Sequence, residues 1–337
     1  MSTSSLAPAR RQHPFALPAG PWVGFVAVLA IFSLLIGVKG EIGTFLSVGN
    51  LQVLLHEGTI PAIIALGMLL VLISGGIDLS VGAVVALVTV VTMKTFALAH
   101  GALGPGTATS LVAVAAGVLT GGVCGLANGL LITRLKLPPF VATLGMIGIA
   151  RGVAVWLAER KVLAFDEVVR RPEWVETFAR VSFLNPGLWS LVLLAIVTGV
   201  VLHFTVFGRQ VYAVGSNEAT ARLCGVNVPR TKVTVYMLAG LLTGWAGVIL
   251  FAQSDSGNPT LGEQLELDVI TAVVIGGAAL SGGKGTVIGA LLGVAILGVI
   301  RNGVSLFNVP LEMQYILIGV LLLANVALNR WRQDKAI

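Results

Sequence analysis

Long apolar runs follow one another along this chain with few charges between their ends. Crossing a bilayer takes ~20 such residues per helix. Ten runs approach that length: 22–38, 53–74, 79–99, 109–132, 139–157, 187–207, 233–253, 267–281, 286–306 and 311–328. The eighth is short, and the fifth contains Arg151. The runs are continuous rather than alternating, which argues for helices and against a barrel. Composition agrees: of 337 residues, 56% are hydrophobic and 11% are charged. Soluble domains carry about 25% charged residues. The expected fold is an all-α polytopic membrane protein of about ten transmembrane helices. A single transmembrane domain at 22–328 lies between tails at 1–21 and 329–337.

Lys and Arg orient the spans, because they concentrate on cytoplasmic loops. With the N-terminus inside, twelve basic residues fall on the cytoplasmic side and six outside. Lys94, Arg151 and Arg301 lie within spans, which accounts for all 21. Both termini are therefore expected in the cytoplasm. The external segment 158–186 mixes acids and bases and reads as a small folded cap. The net charge of +6 forms no concentrated basic patch with interleaved aromatics, so nucleic acid is not an expected partner. Membrane lipid is. The first run has no small-x-small cleavage site after it and reads as an uncleaved span. Cys124 and Cys224 form no CxxC pair, and the four histidines have no metal-ligand spacing.

Glycine spacing predicts how the spans pack. Gly117, Gly121, Gly125 and Gly129 recur every four residues, as do Gly285, Gly289 and Gly293, and Gly240 and Gly244 make a shorter pair. Such strips let helices approach closely where lipid supplies no hydrophobic drive.

The stretch ISGGIDLSVG (73–82) breaks one of the most apolar regions of the chain. Gly75 and Gly76 are expected to turn the chain between two spans, and Asp78 to cap the next helix. The pattern SGG-x5-GA recurs at 281–290, with Gly282, Gly283 and Gly289 matching Gly75, Gly76 and Gly82. Gly285 takes the place of Asp78, so the turn itself does not require the carboxylate.

SGGKGT (281–286) fails as a phosphate loop, since Ala278 stands where the first glycine belongs and Gly285 follows Lys284. No catalytic motif appears, which leaves transport. Within the spans the ionisable residues singled out are Arg151, Arg301 and Asp78. Such scarcity points away from ion coupling, which places ionisable groups inside spans, and toward a separate ATPase. The segment 208–232 supplies a docking element. Ser216 or Asn217 caps a helix of roughly eight residues, Glu218 sits in its first turn, Gly225 is its C′ stop, and Pro229 ends any continuation.

Four stretches occur in order: ISGGIDLSVG (73–82), NGLLITRLKLPPFVATLG (128–145), YAVGSNEATARLCGVNV (212–228) and TAVVIGGAALSGGKGTVIGALLG (271–293). Together they resemble the permease subunits of bacterial ABC importers of the ribose/xylose type, in a larger family that includes branched-chain amino-acid permeases. The resemblance spans about residues 50–328. It implies a type II importer fold, an inner-membrane location and a second permease copy. It also implies an ATP-binding subunit and a secreted sugar-binding protein as partners. ATP would be bound by the partner, and the permease itself needs no cofactor. The family's EAA-like coupling motif falls on Glu218, Ala219 and Gly225, with Ser216, Asn217 and Arg222 in the same helix. Thr220 and Cys224 depart from its usual form. Path-lining candidates are Asp78, Ser80, Asn128, Asn302 and Ser305. For Asn128 and Asn302, hydrogen bonding between helices is the equal alternative. Arg151 and Arg301 are expected to be paired. The rival readings are a permease for another small solute, such as a furanone signal or an amino acid, and an ion-coupled secondary transporter.

Overall fold

The computed structural model describes residues 19–166, 169–307, 309, 310, 313, 316, 319 and 320. The expected run at 311–328 falls almost wholly outside them, as do the two tails. Helices α1 (Ala19–Val38), α2 (Ile42–Phe45), α3 (Val48–Ile73), α4 (Val81–Leu103), α5 (Thr107–Arg134) and α6 (Pro139–Leu157) come first. Next are strand β1 (Leu163–Ala164), α7 (Glu173–Ala179), α8 (Pro186–Phe204), α9 (Val206–Ser216), α10 (Glu218–Leu223) and α11 (Val228–Ser254). Strand β2 (Ser256–Gly257), α12 (Leu265–Ile275) and α13 (Val287–Leu306) complete the order. Among the described residues, eight helices are long and apolar enough to cross a membrane: α1, α3, α4, α5, α6, α8, α11 and α13.

Helix α3 is the centre of the bundle. Its second half is apolar on every side, and Ala62 to Ile73 are buried without a break. Helices α5 and α11 run antiparallel along their glycine strips. A methyl group on Gly121 would overlap the Gly240 carbonyl, and one on Gly125 would overlap that of Tyr236. The glycines therefore bring the two backbones into contact, where dispersion between close-packed atoms replaces the missing hydrophobic drive.

The eighth expected span differs from its reading. Helix α12 has 11 residues, about 16 Å of helix against ~30 Å of hydrocarbon. The preceding chain is the short strand β2 followed by turns at 259–264, and it runs back along α4. Gly257 packs on Thr89 and Met93, the Asn258 amide donates to the Thr89 hydroxyl (3.2 Å), and Gly262 packs on Gly82. From α6, Arg151 Nη1 donates to the Pro259 and Leu261 carbonyls. Hydropathy does not separate turns followed by a short helix from a short span. The segment is only partly covered: Pro259 is buried, while Thr260, Glu263 and Gln264 are exposed.

Segment 158–186 carries β1, which pairs antiparallel with β2, and α7, whose Val175 is buried. Trp174 packs on Phe251 of α11, with ring centroids 6.0 Å apart.

Candidate functional site

The two SGG turns meet. In the first, α3 ends as Gly75 takes φ +79°, while the amides of Gly75 and Gly76 bond back to the Leu72 and Val71 carbonyls. In the second, the matching Gly282 takes φ +87°. This left-handed region strains side chains and suits glycine. The Gly283 amide donates to the Ile73 carbonyl at 2.9 Å, which joins the turns directly. Gly82 and Gly289 are matched in use as well. Gly82 abuts Gly262 and Glu266 just before and within α12, and Gly289 abuts Gly276 at its end. Helix α12 is thus held between the two copies of the motif.

A third element enters this junction. Gly215, near the end of α9, packs so closely that a methyl group there would overlap the Ile73 carbonyl. One on Gly283 would lie 2.5 Å from the Ser216 hydroxyl oxygen. Tyr212, one turn earlier, donates its hydroxyl to the Gly285 carbonyl (2.7 Å). Burial raises the pKa of this phenol, which keeps it a donor.

Helix α9 was not foreseen. Thr205 caps it by accepting from the Gly208 amide, so the chain leaves α8 and starts a second helix. Asn217 then acts twice, as C-cap of α9 and N-cap of α10, with Oδ1 accepting from the Thr220 amide at 2.9 Å. Helix α10 is six residues long. It ends in a Schellman pattern with Gly225 at φ +82° and the Val226 amide on the Ala221 carbonyl. Pro229 does not end a helix. It sits in the first turn of α11, which starts at Val228, where proline costs no hydrogen bond. Glu218 pairs with Arg222 (3.2 Å) and Lys232 (2.6 Å). Ser216, Asn217, Ala219 and Arg222 are exposed, and Leu223 is 88% exposed. Such an apolar tip suits a protein contact.

The five path candidates do not share one surface. Asp78 Oδ1 accepts from the Ser80 amide (2.9 Å) and hydroxyl (2.6 Å), and Asn128 donates to the Ser80 hydroxyl (3.0 Å). These three residues are buried together. Asp78 bonds Ser80, itself the N-cap residue of α4, rather than the first amides within the helix. Asn302 exchanges two hydrogen bonds with Asn50 of α3, at 2.8 and 2.9 Å. Ser305 is exposed near the end of α13. Arg301 pairs with Asp268 of α12, and Arg151 holds the turn at Pro259 and Leu261.

Two carboxylates inside membrane elements were passed over. Glu57 lies within α3 and Asp268 within α12, and both line one cavity with Arg301. The signal was available, since each is a carboxylate inside an apolar run. Glu57 and Asp268 thus join Arg151, Arg301, Asp78 and Lys94 as ionisable residues within or bordering the expected spans.

Residues 50–326 match the family described as branched-chain amino acid transport system / permease component. The ribose import permease protein of Bacillus subtilis (strain 168) is 38% identical over 314 residues, covering 92% of each chain. The L-arabinose ABC transporter permease protein of Azospirillum brasilense is 35% identical over 337 residues, covering 98% of this chain and 94% of its own. The fructose import permease protein of Rhizobium meliloti is 34% identical over 329 residues, covering 94% and 86%. No solved structure matches the chain. With apolar helices long enough to cross a membrane eight times among the described residues, and relatives matched over nearly their whole length, the chain belongs to this family of multi-pass ABC transporter permeases.

Proposed function

We propose that the chain is the membrane-embedded permease subunit of an ATP-driven importer for a monosaccharide. The observation that carries the reading is the contact of Gly215 with both SGG turns, one residue pair before the capped helix α10. The relatives are permeases named for ribose, L-arabinose and fructose. A separate ATP-binding subunit docks on α10 through Glu218, Ala219, Arg222 and the exposed Leu223. A sugar-binding protein delivers the substrate at the opposite face, and a second permease copy completes the path. Both termini lie on the α10 side, in the cytoplasm of a bacterial cell.

The mechanism uses the junction as a lever. Closure of the ATPases displaces α10. Asn217 links α10 rigidly to α9, because one side chain caps one helix while its backbone ends the other. Helix α9 has no free space at Gly215, so it drags the turns that end α3 and precede α13. Asp78, Ser80 and Asn128 stiffen the first turn against α5 rather than contact sugar in this conformation. In a cell lacking its own ribose, arabinose and fructose permeases, the chain should restore uptake of one labelled sugar. That uptake should require both the ATPase and the binding protein. Restoration without them would overturn the reading.

A further inference from the structure

Glu57 is an exposed carboxylate ten residues into α3, a helix otherwise apolar enough to span the membrane. A charge facing hydrocarbon at that depth is costly, so ionisable groups there face water or protein. The surroundings fit water. Glu57, Asp268 and Arg301 line one cavity of about 70 Å³ between α3, α12 and α13, room for a few waters. Pro61 lines it too and, lacking an N–H, cannot make the helix bond to the Glu57 carbonyl. An acceptor is thus freed beside the carboxylate, and a free backbone acceptor at membrane depth also belongs beside protein or water. Two glycines of the lining have space around them. Nothing lies within 4 Å of a methyl group placed on Gly58, and only a Leu54 methyl, at 3.8 Å, approaches one on Gly298. The packing glycines of α5 and α11 have none.

We propose that Glu57, Asp268 and Arg301 form a subsite for sugar hydroxyls on the wall of the permeation path. This rests on the importer reading above. The chemistry suits a polyol. Carboxylate oxygens accept from adjacent hydroxyls, and the guanidinium donates to hydroxyl and ring oxygens. The Arg301–Asp268 pair neutralises two of the three charges and leaves that of Glu57, so a neutral sugar is held by hydrogen bonds rather than by ion pairing. Paired charges with spare donors and acceptors bind weakly enough to release, as a path requires.

The test uses the reconstituted importer with its ATPase and binding protein, in a background without Cys124 and Cys224. A cysteine placed by Glu57→Cys is expected to react with a water-soluble thiosulfonate, and ribose-loaded binding protein with ATP is expected to slow that reaction. Gly58→Leu is expected to leave subunit assembly intact and cut uptake by about tenfold or more, because it narrows the path. An unreactive cysteine, or wild-type uptake by the Gly58→Leu importer, would overturn the subsite while leaving the importer reading in place. No uptake by the unmutated importer for ribose, arabinose or fructose would remove both.

Discussion

The amide of Gly283 donates to the carbonyl of Ile73 across 2.9 Å, tying together two turns that lie more than two hundred residues apart in sequence. The bond forms at the place where Gly215 of α9 leaves no room for a side chain. The end of α3, the approach to α13 and the helix before α10 therefore share one rigid contact.

Gly215→Ala tests that contact. Its methyl group meets backbone, which has little freedom to shift, and overpacking of this kind costs about 1–3 kcal/mol. The variant is expected to melt earlier in detergent and to lose sugar-stimulated ATP hydrolysis. An unchanged melting profile with normal stimulation would show that the junction is loose.

Glu218→Lys tests docking. The side chain is exposed and pairs with exposed Arg222 and half-buried Lys232, and an exposed pair contributes about 0.2–1 kcal/mol. The fold should survive, while the ATPase no longer co-purifies and uptake is lost. Normal uptake by this variant would remove α10 from the mechanism.

Asp78 separates a stiffening role from substrate contact. Asp78→Asn keeps an oxygen for the Ser80 amide and hydroxyl, so expression and most of the uptake should remain. Asp78→Ala leaves the Ser80 amide unpaired, at a cost of about 1–3 kcal/mol, and should reduce folded yield. Normal insertion of Asp78→Asn with no uptake would assign the carboxylate to transport.

The Asn50–Asn302 exchange is expected to fasten α3 to α13. Asn50→Ala strands the Asn302 amide, whereas after Asn302→Ala the Asn50 amide keeps its bond to the Phe45 carbonyl; interhelical hydrogen bonds in membranes contribute about 0.6 kcal/mol on average. Changing both to Leu should recover part of the loss in thermal stability. Additive losses would show that the two amides are not coupled.

Much of this architecture was legible because membrane spans announce themselves by length and apolarity. The eight long helices start and end within a few residues of the runs, and the strips of α5 and α11 face each other as their four-residue spacing suggests. The caps of α10 were visible as Asn217 and Gly225. Helix α12 was not legible, since Gln264 enters it at φ +68° and nothing in its hydropathy marks the turns at 259–264 before it. The extra turn at the start of α11 was hidden by Pro229, a residue that begins helices as readily as it stops them. Glu57 went unread because it is one charge in a long apolar run. Its meaning depends on Asp268 and Arg301, which only the fold brings beside it.

The central claim is that ATP hydrolysis by a partner, passed through α10 and the glycine junction, drives sugar across this chain. Uptake of labelled ribose, arabinose and fructose into proteoliposomes tests it most directly. With ATPase and binding protein present, one of these sugars should accumulate when ATP is supplied on the α10 side, and Glu218→Lys should abolish accumulation. Accumulation driven by a proton or sodium gradient in vesicles containing the chain alone would contradict it.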